Sequence, residues 1–228
     1  AMGAMMSQDV FIEVGHGPTL IDNNIMLSKA SVRIATQVVA LVHNLMLGAF
    51  TAVGGGTDST VNGVNQPRYT PYHIRHRTEV AGFMTILHGD DRVYNNIFVQ
   101  NWPVEKTEAK EDMGFMMADN QVVGTDVFDE YPTYDEWIKN FEMDKPANMM
   151  KLTEYHFGHL PVWVSGNAYF NGAKSCKNET NAFIDNDHKV SVELKEENGV
   201  YTLKTNLYEF LNGFADGIVN SDILGLAF

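Results

Sequence analysis

The chain has 228 residues, 44% of them hydrophobic and 20% charged, which is enough for a sizeable core without disulfide or metal support. Sixteen Lys and Arg against 29 Asp and Glu give a net charge of −13, which argues against a surface built for phosphate backbones. One cysteine, Cys176, excludes an internal disulfide framework and a four-thiolate zinc site. No apolar run reaches the ~18 residues of a membrane span.

The first six residues, 1–6, have neither the basic nor the apolar part of a signal peptide. They read as an expression scar, and the expected location is cytoplasmic. The first apolar run, Phe11-Ile12-Glu13-Val14, is broken by a carboxylate and followed by Gly15-His16-Gly17-Pro18. A glutamate with apolar neighbours loses solvation and gains proton affinity, as a general acid requires. The plainer reading is a glutamate on the solvated side of a strand.

Helical periodicity is scarce. Short apolar runs recur instead, each opened by asparagine: Asn24-Ile25-Met26-Leu27, Asn44-Leu45-Met46-Leu47, Asn96-Ile97-Phe98-Val99 and Asn167-Ala168-Tyr169-Phe170. Asn24 and Asn44 are one solenoid repeat apart, and a right-handed parallel β-helix uses roughly 20 residues per coil. Asparagine suits its corners, since it tolerates the left-handed backbone and its amide reaches the same residue one coil away. The expected fold class is therefore all-β, a β-helix over residues 7–228, with a β-sandwich as the competitor.

The longer intervals place loop insertions at about 51–77 and 101–160. The first ends in Pro71-Tyr72-His73-Ile74-Arg75-His76-Arg77-Thr78-Glu79-Val80. Polar groups crowded beside an aromatic ring suit a sugar, whose hydroxyls take hydrogen bonds while its C–H faces stack. The same residues also read as a solvated charge cluster, or, through His73 and His76, as half of a zinc site. Next come His88-Gly89-Asp90-Asp91-Arg92, adjacent aspartates that either form a self-satisfied turn or hold calcium. In the second insertion, Thr133-Tyr134-Asp135-Glu136 is a capping box that predicts a short helix. His156 and His159 read as packing residues. Alternation at Val190, Val192 and Leu194, with Asn198-Gly199 as a type I′ turn, predicts a C-terminal β-hairpin.

Five stretches carry a resemblance: FIEVGHGPTLIDNNIMLS (11–28), TPYHIRHRTEVAGF (70–83), GDDRVYNNIFVQNW (89–102), PVWVSGNAYFNGAK (161–174) and LKTNLYEFL (203–211). Together they resemble the β-xylosidases of glycoside hydrolase family 120. The resemblance implies a parallel β-helix and a retaining glycosidase that releases xylose from xylo-oligosaccharides during xylan degradation. Glu13 is its acid/base, and His16, Tyr72, His73, His76, Arg77 and Glu79 are candidates to hold the sugar. It requires no cofactor, with calcium the only cation the paired aspartates suggest. The partners expected are a small oligosaccharide and further copies of the chain, without nucleic acid or membrane. The family's nucleophile lies about one coil before its acid/base, a position that precedes residue 1 here. The alternative is therefore a truncated, catalytically silent module that binds carbohydrate or self-associates. A uronate lyase is a weaker third reading.

Overall fold

The computed structural model describes residues 8–12, 15–53, 58–61, 64–104, 121–141 and 158–210. Its backbone is a parallel β-helix. The first coil consists of β1 (Val10–Ile12), β2 (Thr19–Asp22) and β3 (Ile25–Met26). The second repeats it as β4 (Ala30–Ile34), β5 (Val39–Val42) and β6 (Leu45–Met46), and β7 (Ala49–Val53) opens the third. Three antiparallel strands follow, β8 (Asp58–Val61), β9 (Val64–His73) and β10 (Val80–Ile86), before β11 (Asp91–Tyr94) and β12 (Ile97–Val99) resume the solenoid. The later strands are β13 (Val162–Ser165), β14 (Ala168–Phe170) and β15 (Phe183–Asp185).

Coil upon coil, these strands build three parallel sheets, ordered β1-β4-β7, β13-β11-β5-β2 and β15-β14-β12-β6-β3. The intervals between the asparagines are the strand registers themselves: Leu20 pairs with Ala40, Ala40 with Arg92, and Arg92 with Trp163. Inward side chains therefore stack in columns. Ile21, Leu41, Val93 and Val164 form one, and Met26, Met46, Phe98 and Tyr169 another. The Phe98 and Tyr169 rings lie parallel with centroids 5.2 Å apart. Burial of such aromatic pairs contributes beyond its area.

The asparagines form a ladder. The Asn24 backbone N–H and Nδ2 both donate to Asn44 Oδ1, at 3.0 and 3.1 Å. Asn44 donates likewise to Asn96 Oδ1, and Asn96 to Asn167 Oδ1. The left-handed backbone, however, falls one residue earlier than expected. Asn23, His43, Asn95 and Gly166 have φ of 56°, 57°, 54° and 69°. That residue turns the corner, which frees the next one to aim its amide along the solenoid axis. At Gly166 a Cβ would come within 2.5 Å of Asn95 Oδ1, so close approach as well as φ favours glycine.

The ladder ends on a carboxylate. Asn167 donates its backbone N–H and Nδ2 to Glu179 Oε1, at 3.1 and 2.7 Å. The other oxygen, Oε2, accepts from the Tyr169 hydroxyl and from Thr125 Oγ1. Burial raises the Glu179 pKa, and these donors oppose the rise. An acceptor-only carboxylate suits the end of this chain of amide donors.

On the outside of the third sheet lies a second core of Leu47, Val99, Ala168, Phe170, Val190, Val192 and Leu207. The hairpin β16 (Val192–Glu197) and β17 (Val200–Thr205) covers it. Asn198 and Gly199 have φ of 56° and 78°, as the type I′ turn requires. In the second insertion, helix α1 (Tyr134–Ile138) carries the full capping box. Glu136 Oε2 accepts from the Thr133 N–H at 2.8 Å, and Thr133 Oγ1 accepts from the Glu136 N–H.

Candidate functional site

A second column of corners leads into the strands of the second sheet, through residues 15–18, 35–38, 87–90 and 158–161. Hydrogen bonds run down it: Thr19 N–H to Val38 O, Val38 N–H to Gly89 O, and Asp90 N–H to Pro161 O, at 2.9, 3.0 and 2.7 Å. Gly17 has φ of 70°, and a Cβ there would meet Val38 Cβ at 2.7 Å. Val38 itself has φ of 62°, a conformation costly for a β-branched residue. The strain lies directly beneath the turn that follows Glu13.

Glu13 lies outside the described residues. The turn after it is held from two sides. Thr36 Oγ1 donates to the Gly15 carbonyl, and a 2.5 Å hydrogen bond joins His16 Nε2 to Thr70 Oγ1 on β9. The antiparallel sheet β8-β9-β10 is thereby anchored beside the first coil. Thr70 is buried, and Tyr72, two residues on, shares its face and is exposed. His73 points to the opposite face, with Nδ1 at 3.2 Å from the Glu79 carbonyl oxygen. His76, with φ of 61°, and Arg77, whose N–H donates to Ile74 O, form the hairpin tip beside Glu79. All three are exposed. The chemistry clustered in sequence is thus divided, with His16 and Tyr72 on the anchored side, His73 on the opposite face, and His76, Arg77 and Glu79 at the tip.

Thr36 and Thr70 carry no sequence signal as site residues, because a lone threonine in a strand reads as ordinary β-former. Replacing Thr70 by valine removes the hydroxyl at nearly constant volume. A lost hydrogen bond of about 1 kcal/mol raises local opening roughly fivefold. Trypsin cleavage after Arg75 and Arg77 is expected to accelerate by about that factor. An unchanged cleavage rate would show that the latch does not hold the hairpin.

Two coils from Glu13, the paired aspartates separate in role. Asp90 turns left-handed, with φ of 54°, and its carboxylate contacts Arg92 Nη1 at 2.5 Å. The Arg92 guanidinium lies 4.4 Å from the Trp163 ring centroid. Asp91 is buried instead, and Oδ1 accepts the Val39 backbone N–H at 2.8 Å. The turn therefore serves the neighbouring coil rather than its own amides. Among the described residues, no group of three or more His, Cys, Asp or Glu is placed to hold a metal ion. His156 lies outside the described residues, while His159 stacks on Tyr131 at 4.6 Å and meets His88 edge-on.

Burial pushes the Asp91 pKa up to about 8, against the Val39 N–H and Arg92, with Asp90 adding to the rise. The native state then keeps a proton that the unfolded chain loses above about pH 4. This contribution to stability is present below that pH and is lost as pH rises towards 8. Asp91→Asn retains the acceptor for Val39 and removes the charge. It is expected to flatten the melting temperature across this window and to raise it by a few degrees at the alkaline end. A variant whose pH profile parallels the parent would refute the assignment.

Comparison with known proteins supports this architecture. A solved structure described as the complex of XylC with xylose matches with a TM-score of 0.61 and 30% sequence identity. The match covers 86% of this chain and 26% of that one, so the chain spans about a quarter of the neighbour's length. No family model matches the chain, and no curated protein matches it.

Proposed function

We propose that this chain is a xylose-acting glycoside hydrolase or a portion of one, with retaining β-xylosidase chemistry of the family 120 type. The observation that carries the reading is its likeness to a structure solved with xylose, over 86% of this chain. In this mechanism Glu13 protonates the glycosidic oxygen while a carboxylate attacks the anomeric carbon, and Glu13 then deprotonates the water that releases the sugar. Adjacent coils are about 4.8 Å apart, close to the ~5–5.5 Å carboxyl separation of retaining enzymes. A β-helix can therefore supply the two groups from neighbouring coils. Tyr72 would offer a stacking face above the turn, and His16 would be oriented by Thr70. Calcium has no role in these steps.

The test is turnover of 4-nitrophenyl β-xyloside, with the first-formed anomer followed by NMR. Release of β-xylose ahead of mutarotation is expected. Absence of turnover with purified chain, or first release of the α-anomer, would overturn the proposal for this chain. A second reading, a carbohydrate-binding module without turnover, is favoured by the chain's coverage of only 26% of its neighbour. It predicts chemical-shift changes at Tyr72 and His16 on titration with xylobiose, in the absence of hydrolysis.

A further inference from the structure

The face of β9 and β10 turned away from Thr70 carries an apolar row that the proposed chemistry does not use. Register places Tyr69 opposite Thr85, Pro71 opposite Phe83 and His73 opposite Val80. Phe83, Tyr69 and Val80 are 69%, 57% and 53% exposed. An aromatic row this open on a sheet whose other face is anchored has the composition of an interface. Among the described residues, the sheet order β10-β9-β8 also leaves β10 at an edge.

Charge narrows the occupant. At the tip of this hairpin Arg75 and Arg77 are exposed beside Glu79, a local charge of +1 within a chain of −13. The patch is therefore the reverse of the rest of the chain. An opposite patch lies on the C-terminal hairpin. Residues 190–210 hold four glutamates and two lysines, with Glu193, Glu196 and Glu197 exposed. Tyr201, Val200, Tyr208 and Leu194 are exposed beside them. Among the described residues, β16 and β17 pair with each other and with no other strand.

We infer that the outer face of the β9–β10 hairpin docks on the acidic β16–β17 hairpin of a second copy of this chain. A two-fold axis repeats the contact, so each copy contributes both surfaces. A stable interface buries about 800 Å² per partner, which two such contacts would share. Apolar burial supplies affinity, and Arg75 and Arg77 against Glu196 and Glu197 supply orientation. The inference is independent of the xylosidase reading.

The test is sedimentation equilibrium of the 228-residue chain, with circular dichroism as the check on folding. The expected mass is twice 25.5 kDa. The pair Arg75→Glu and Arg77→Glu is expected to weaken association at least ~10-fold, as is the pair Glu196→Arg and Glu197→Arg. Mixing the two variants restores the dimer, because each contact in the mixed pair again joins opposite charges. Phe83→Asp, on an exposed side chain, gives the same loss without altering Arg75 or Arg77. A parent chain monomeric at about 100 µM would overturn the inference. So would a dimer indifferent to both charge pairs, or charge variants that fail to restore each other.

Discussion

Asn96→Ala is expected to lower the melting temperature by roughly 10 °C, the largest stability effect of any single ladder change. Asn96 is fully buried at the centre of the ladder. Its Oδ1 accepts two bonds, from the Asn44 backbone N–H at 3.0 Å and from Asn44 Nδ2 at 2.9 Å. Its Nδ2 donates to Leu41 O at 2.9 Å and to Asn167 Oδ1 at 3.0 Å. Alanine leaves the Asn44 donors and the Leu41 carbonyl without these partners in a site closed to water. At about 1–3 kcal/mol for each orphaned group, partly relieved by relaxation, the loss comes to about 3–5 kcal/mol. Asn24→Ala, at the exposed first rung, provides the contrast and is expected to cost ~1 kcal/mol. Thermal melts of the two variants check the gradient. Equal losses would show that ladder position does not matter.

Glu13→Gln is expected to reduce turnover of an aryl β-xyloside by about 10²–10⁴-fold, the range of a lost general acid/base. The effect should depend on the leaving group. A 4-nitrophenolate departs without protonation, whereas the sugar alkoxide of xylobiose does not. The variant should therefore lose more on xylobiose than on the aryl substrate. Glutamine keeps the shape and hydrogen-bonding capacity of the side chain, so binding should change little and the loss should fall on kcat. Near-parental turnover on both substrates would remove Glu13 from the mechanism. An equal loss on the two would assign it another role.

The fold was legible because a solenoid repeats its own solution. The same inward position recurs once per coil, so the residue that solves it once recurs in sequence. Asn24, Asn44, Asn96 and Asn167 preserve this signal even across intervals of 52 and 71 residues, the separations of the hydrogen-bonded pairs. The corner conformation is less legible, since the side chain that makes the bond is conspicuous and the residue before it, which turns the chain, is not. At that position Asn23, His43, Asn95 and Gly166 share only a tolerance for positive φ.

Glu179 escaped notice for a related reason. It lies in Asn178-Glu179-Thr180, outside any apolar run, and its role exists only because the chain returns beneath Asn167. The roles of Asp90 and Asp91 likewise depended on which neighbour each met. Arg92 keeps one at the surface, and the Val39 amide receives the other inside.

Residue type and spacing alone therefore determined the β-helix, the coil length, the capped helix and the turn of the C-terminal hairpin. Each is set by contacts that repeat or lie close along the chain. Tertiary structure alone decided that Thr70 latches His16, that Tyr72 and His73 face opposite ways, and that Asp91 is buried beneath Val39. Those contacts join segments 50 or more residues apart or depend on which side of a sheet meets the core. A single sequence carries no local trace of either.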